Sequence, residues 1–500
     1  MREAVIVVAL VVASTVVATF ADRLRVPAPS VLVLAGIAVA LVPGVPAVRS
    51  SPELISLFVL PPLLYASAQD ISARELRAMW RPVAALALGL VLATALTIAG
   101  LAWWITSLSL PMAFVLGAVL ASTDPVAVTA LGRRLPLPPR IQALVQTESL
   151  FNDATSLVLF QVAVGIAAGS GSTSPIGAGW RFVLLAGGGA GIGAALAGSV
   201  IAVRRQTADP GLHTVIALVT PYAAYLLAQR AGVSGVTAVV VAGVVVGSAG
   251  HKITDARIRL QVHAVYDALA FLLESVVFAL VGLQLPLFVR DLGPGSHDWP
   301  LQALALSAAL VAARLAWMRA TVPHAAPTRG YPAGPVARVM TWAGTRGVMP
   351  LAAALAIPLT TAAGYALPGR PLVLVLTAAV VTLTLVTQGL TLAPVVRTSG
   401  LALDPEHVAA KEAEIHTWLN EAVLDYLDDP ATTQDVPPET LDRLRRRHTA
   451  RLVGTSAHLE RRLVDLQRAE LRRLYTEGRV NDAVRRRIQH QLDRTEAGIR

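Results

Sequence analysis

The stretch "QTESLFNDATSLVLF" (residues 146–160) puts Glu148, Asn152 and Asp153 inside a run that otherwise reads as buried helix. An ionised carboxylate is among the costliest groups to place in an apolar setting, so two acids in adjacent turns need a reason. Helix geometry separates them. Ser149, Asp153 and Ser156 follow an i, i+4, i+7 spacing on one face, and Glu148, Asn152 and Thr155 repeat it on the neighbouring face. Glu148 and Asp153 point about 140° apart, so they meet different partners: one can be paired and silent while the other stays open.

The surroundings of this stretch read as membrane. The chain has 500 residues, of which 54% are hydrophobic and 15% charged, with a mean hydropathy of +0.60. A soluble protein carries nearer to about a quarter charged residues. The apolar residues come in long blocks, such as 4–21, 83–105 and 371–396, each able to cross a bilayer as helix. Thirteen spans are expected, at 4–21, 31–48, 53–68, 82–107, 111–131, 141–168, 180–203, 211–229, 233–250, 262–289, 301–320, 335–358 and 371–396. The first is read as a retained helix rather than a signal peptide, because Arg23 and Arg25 follow it and no cleavage site is evident. With the N-terminus outside, about 16 basic residues fall at inner loops and about 6 outside, as the positive-inside rule requires. The chain has no cysteine, which excludes disulfides, Cys-ligated metal and thiol chemistry.

Residues 1–400 thus form a membrane domain. Residues 401–500 form a hydrophilic, helical tail, which an odd number of spans leaves in the cytoplasm. In the tail Ile415, Trp418, Leu419, Ala422, Val423, Tyr426 and Leu427 make an apolar stripe at helical spacing. Acidic residues nearly balance its arginine runs, so no nucleic-acid partner is expected. The small-residue run "AGGGAGIGAALAG" (186–198) reads as a close-packing helix face, not a phosphate loop. His251 and His263, at the inner end of the tenth span, read as interfacial residues.

Six ionisable residues lie deep in the spans: Asp124, Glu148, Asp153, Glu274, Arg314 and Arg346. Each must face the protein interior or a water-filled cavity. A buried arginine offers a bidentate fork and needs a carboxylate, for which Glu148 and Glu274 are available. Arg314, in an unbroken apolar helix, is the favoured partner of Glu148, with exchange for Arg346 open.

Two spans are broken. Pro125 in "ASTDPVAVTA" (121–130) frees backbone carbonyls beside Ser122, Thr123 and Asp124, and "GTRGVMP" (344–350) interrupts a second helix with two glycines and Pro350. Irregular backbone at membrane depth survives where it is buried in protein or lines a cavity. The breaks fall in the fifth span counted from span 1 and the fifth counted from span 8. That is the layout of two inverted six-helix repeats, and paired interrupted helices point to a transporter's ion site.

Together "STDPVAV" (122–128), "TESLFNDATSLVLF" (147–160), "FLLESVVFALVGLQL" (271–285) and "GTRGVMPLAAALAIP" (344–358) resemble the sodium/proton antiporters of the bacterial NhaP and animal NHE type. The resemblance covers the whole membrane part, in the family's order, and "AELRRLYTEGRVNDAVRRRIQHQLD" (469–493) is similar to bacterial members' tails. It implies an all-α polytopic fold of about thirteen helices with crossed broken helices in a core domain, and a second domain that forms a homodimer. It also implies that Asp153 binds cation or proton, that Ser149 and Thr123 complete the ion's shell, that Asn152 steadies the break, and that Glu148 pairs with an arginine. Asp124, Arg314 and Arg346 support the site, and Glu274 is a structural or gating candidate. One departure stands out: relatives often carry an acid after the "LPPLLY" run (60–65), where this chain has Ala66.

A lone carboxylate in a partly dry cavity exchanges protons and, once ionised, offers hard oxygen ligands to Na+ or Li+. The two occupants exclude each other, which gives exchange if only loaded forms switch access. One free acid beside neutral Asn152 implies one cation per proton, hence electroneutral exchange. No cofactor is expected beyond the transported ions, and no enzyme motif such as His-Glu-x-x-His or Gly-x-Ser-x-Gly is present. The rival readings are a K+/H+ antiporter and, less favoured, a cation channel, for which no repeated filter loop exists.

Overall fold

A computed structural model describes residues 12, 15, 28–42, 52–69, 71, 76–77, 80–124, 137–169, 171, 174–207, 209–253, 256–292, 297–324, 330–429, 437–452, 467, 469, 471 and 473. Most of the expected first span, Asp70, Pro125 with the rest of its motif, most of the expected tail end and the His251 side chain lie outside the described residues.

Among the described residues the regular structure is helical throughout. The first elements are α1 (Ala28–Ala40), α2 (Pro52–Phe58), α3 (Leu60–Gln69) and α4 (Trp80–Ala84), the last passing through a π-helical turn (Ala85–Leu90) into α5 (Val91–Ile105). Then come α6 (Leu110–Ala121), α7 (Pro139–Ala167), α8 (Pro175–Arg204), α9 (Pro210–Arg230), α10 (Gly235–Ile253), α11 (Ala256–Arg290) and α12 (Trp299–Thr321). The membrane part ends with α13 (Ala333–Trp342), α14 (Val348–Leu355) and α15 (Arg370–Ser399). Helix ends follow local chemistry. Asp209 Oδ1 caps α9 by accepting from Gly211 N–H at 2.6 Å, and Gly369 and Gly400 supply the positive φ (79° and 69°) that bounds α15.

Seven helices among the described residues are long and apolar enough to cross a bilayer: α4–α5, α7, α8, α9, α11, α12 and α15. Other expected spans are shorter or interrupted. The third is split by a turn at Val59, the fifth stops as helix at Ala121, and the twelfth is divided into α13 and α14.

Packing depends on small residues at crossings, as it must where lipid is as apolar as the side chains. Gly117 of α6 lies against the Ala95 carbonyl of α5, and Gly36 of α1 meets Gly282 of α11. In α8, Gly189 and Gly193 lie against the backbone of Ser234 and of Ala238 in α10, while Gly187, Gly191 and Gly198 face open space. The expected small-residue run therefore packs along one edge only. One large apolar core joins α3, α5, α6, α7, α10, α11, α14 and α15. A second gathers α4, the start of α7, the ends of α12 and α15, and α13. These two cores hold α6, α7, α12, α13 and α14 around the site.

The chain forms two compact units, Met1–Leu403 and Asp404–Arg500. In the second, α16 (Pro405–Asp428) packs with α17 (Pro438–Leu452), tied by Arg445 to Asp428 at 2.8 Å and to the Leu427 carbonyl at 2.9 Å. Of the expected apolar stripe Leu427 is buried, whereas Trp418 and Tyr426 are exposed.

Candidate functional site: the meeting of the two breaks

The site begins with backbone that has left the helix. After Ala121 the chain turns extended at Ser122 (φ −62°, ψ 144°), and α13 stops before residues 343–347 lead into α14. The two breaks pair with each other. The Asp124 N–H donates to the Thr345 carbonyl at 2.8 Å, and the Thr345 hydroxyl donates to the Asp124 carbonyl at 2.9 Å, in an antiparallel bridge. Two groups that would be costly unpaired in lipid thereby satisfy one another.

Arg346 ties the breaks together. Its Nε donates to the Leu120 carbonyl and its Nη1 to the Gly344 carbonyl, both at 2.8 Å. These carbonyls belong to helix ends, where partial negative charge collects and a cation is favoured. The hydrogen bonds of Arg346 thus go to main-chain oxygens that the breaks set free rather than to a carboxylate, while Glu148 and Asp153 lie within electrostatic range. Two glycines make room. A Cβ at Gly344 would overlap the Arg314 guanidinium, and one at Gly347 would overlap the Asp124 carboxylate.

α7 crosses beside the breaks and presents its two acids to different neighbours. Glu148, fully buried, pairs with Arg314 of α12 at 2.6 Å. Arg314 also donates from Nε to the Met340 carbonyl of α13 at 3.1 Å, so the pair joins α7, α12 and α13. Asp153, on the other face, is 8% exposed where Glu148 is 0%. Its Oδ1 accepts from the Ser122 hydroxyl. The Thr123 main-chain N–H also points at its carboxylate, and Asp124 and Arg346 lie within electrostatic range.

Between the two acids runs a chain of hydrogen bonds. Asn152 Nδ2 donates to Thr123 Oγ1 and to Glu148 Oε1, both at 3.0 Å. Thr123 Oγ1 donates to Ser149 Oγ at 3.4 Å. Asn152 thus spends both amide hydrogens, and its Oδ1 is buried without a hydrogen-bond partner among the described residues. Glu274 of α11 is half-buried and within electrostatic range of Asp124.

The sequence-expected residues Thr123, Asp124, Glu148, Ser149, Asn152, Asp153, Arg314 and Arg346 are therefore brought together, with Glu274 at the edge. The residue not expected among the site's contacts is Ser122. Its signal was its place in "ASTDP" (121–125), one residue past the end of regular helix. At Asp153 the arrangement offers its own carboxylate and the Ser122 hydroxyl, with the Asp124 carboxylate within electrostatic range. Among the described residues no three His, Asp or Glu side chains gather into a transition-metal site.

Comparison with known proteins shows the family. Residues 8–398 match the transmembrane family of sodium/hydrogen exchangers. The chain is 34% identical, over 99% of its length and 96% of the relative's, to an uncharacterized Na+/H+ exchanger of Mycobacterium tuberculosis. It is 33% identical, over 76% of its own length and 59% of the relative's, to a sodium, potassium, lithium and rubidium/H+ antiporter of Bacillus pumilus. The fold is similar to that of the sodium proton antiporter MjNhaP1 of Methanocaldococcus jannaschii, with a TM-score of 0.66 at 20% identity, covering 78% of this chain and 99% of that one. The chain is a helical, multi-pass membrane protein that belongs to the sodium/hydrogen exchanger family, a family of transporters and not of enzymes.

Proposed function

We propose that this protein exchanges Na+, and Li+ in its place, for protons across a membrane, with Asp153 as the carboxylate that carries each in turn. The observation that carries the reading is a contrast within α7. Glu148 is locked to Arg314 at 2.6 Å, whereas Asp153 is held at the breaks by a serine hydroxyl. A carboxylate engaged with a buried guanidinium cannot release and rebind ions at low cost. One held by a neutral hydroxyl can.

The ionised Asp153 offers hard oxygens to a small cation, and the Ser149 hydroxyl and Thr123 complete its shell. Binding the cation displaces the proton, and protonation displaces the cation. Neutral Asn152 leaves one exchangeable charge, so one cation moves against one proton and transport is electroneutral. Access alternates as a core domain with two crossed breaks rocks against a dimerisation domain, the two built from inverted six-helix repeats within thirteen spans. The protein works as a homodimer in the cell membrane, with its N-terminus outside, residues 1–400 carrying transport and the helical tail, 401–500, in the cytoplasm.

A K+/H+ antiporter is the second reading, and the breadth of the Bacillus pumilus antiporter, which takes sodium, potassium, lithium and rubidium, favours keeping it. Proton flux in proteoliposomes, compared for Na+, Li+ and K+ across pH with and without an imposed voltage, separates the readings. The proposal expects Na+- and Li+-driven flux that is insensitive to voltage. Flux driven by K+ alone would transfer the assignment to the second reading, and voltage-dependent flux would overturn the one-for-one stoichiometry.

A further inference from the structure

We propose that Ser122 is a direct ligand of the transported cation and biases the site toward small ions. This rests on Asp153 being the exchange carboxylate. Ser122 is the first residue past α6, and its extended backbone turns a buried side chain toward α7. There its Oγ touches Asp153 Oδ1 as a hydrogen-bond donor.

Three hydroxyls, those of Ser122, Thr123 and Ser149, lie where the first break meets α7, and they are not equally free. Thr123 Oγ1 accepts from Asn152 at 3.0 Å and donates to Ser149 Oγ at 3.4 Å, so both Thr123 and Ser149 belong to a chain anchored on Glu148. Ser122 lies outside that chain. Among the described residues its oxygen accepts no hydrogen bond, and its single hydrogen goes to Asp153. A hydroxyl carries two lone pairs, and its hydrogen rotates to suit its surroundings. Turning that hydrogen away exposes an oxygen lone pair to a cation at Oδ1, with a small spreading of the two oxygens. The same group can thus donate to the empty, ionised carboxylate and ligate the ion that replaces the proton.

The consequence for selectivity follows from charge. With one carboxylate at the centre, neutral oxygens supply most of the shell that an ion loses on leaving water, and their number and spacing set which ion is best repaid. A hydroxyl beside Oδ1 adds a second hard oxygen next to the carboxylate, a pairing that suits the small, hard Li+ and Na+ better than K+.

Two roles for Ser122 predict opposite signs. As a ligand, its loss weakens cation binding. As a donor that only competes with the cation, its loss strengthens binding. The test is cation-driven proton flux in proteoliposomes of the full chain, with Ser122→Ala, Ser122→Val, Ser122→Thr and Asp153→Asn compared for Na+, Li+ and K+. Valine and threonine share a shape and differ by the hydroxyl. The expected result is an apparent KM for Na+ and Li+ raised by about tenfold in the alanine and valine variants, with a smaller rise for K+ and little change in maximal rate. Threonine restores wild-type values. An unchanged or lowered KM in Ser122→Ala, or threonine behaving like valine, would overturn the proposal. Alanine carries the comparison alone if a branched side chain prevents folding. Asp153→Asn separates the layers. Silence there, with an unaltered KM in Ser122→Ala, refutes the role of Ser122 only. Exchange surviving in Asp153→Asn removes the assignment beneath it and the proposal with it.

Discussion

Glu148 and Asp153 sit in adjacent turns of α7, and their surroundings could hardly differ more. Glu148 is in a closed corner, paired with Arg314, which is fixed in turn to the Met340 carbonyl. Asp153 is in an open corner made of unwound backbone, touched by a serine hydroxyl and slightly exposed. In the proposed function, the same chemical group is structural in one place and available for exchange in the other. The difference lies in the partner: a guanidinium commits a carboxylate, and a hydroxyl leaves it negotiable.

The contrast breaks most directly at the open corner. Asp153→Asn should abolish cation-driven proton flux while leaving the detergent-solubilised protein with its wild-type melting temperature, since no salt bridge is lost. Flux above that of empty liposomes would deny that the open carboxylate is the carrier.

At the closed corner the order reverses. Glu148→Gln leaves Arg314 buried without its counter-charge, and removing one partner of a buried pair costs about 3–5 kcal/mol. Thermal unfolding should show this loss, and the Glu148→Leu/Arg314→Leu double variant should regain most of it. A stable Glu148→Gln protein that has lost only transport would place Glu148 with Asp153 rather than opposite it.

A smaller effect is expected between the corners. Gly347→Ala brings a methyl group into the space of the Asp124 carboxylate, and overpacking of this kind costs about 1–3 kcal/mol. Because Asp124 is bonded across to Thr345, the maximal rate should fall more than stability does. A variant with wild-type flux would show that the breaks tolerate spreading.

Much of this was legible before any coordinates. The apolar blocks and the side-chain period of α7 located the helix and set the two acids on different faces, and Pro125 and the paired glycines marked the breaks. The preference of Glu148 for Arg314 also followed, because Arg314 had no polar neighbour along its own helix. Two features were not legible. Arg346 was expected to seek an acid, but the carbonyls that hold it, those of Leu120 and Gly344, become available only once both helices have stopped and met. Ser122 was visible as a polar residue at the break, but its contact with Asp153 depends on the extended turn after Ala121, and residue spacing does not encode the direction of a side chain that has left its helix.

The central claim is that one carboxylate serves both ions, and competition tests it most directly. Initial rates of Na+-driven proton flux should be measured over a matrix of Na+ concentration and pH, with equal pH on both sides of the membrane. If proton and cation share Asp153, the apparent KM for Na+ rises as pH falls, by up to about tenfold per unit once the proton dominates, while the maximal rate at saturating Na+ holds steady. A KM that stays fixed while the maximal rate falls with acidification would mean that the proton binds elsewhere, and would contradict the account.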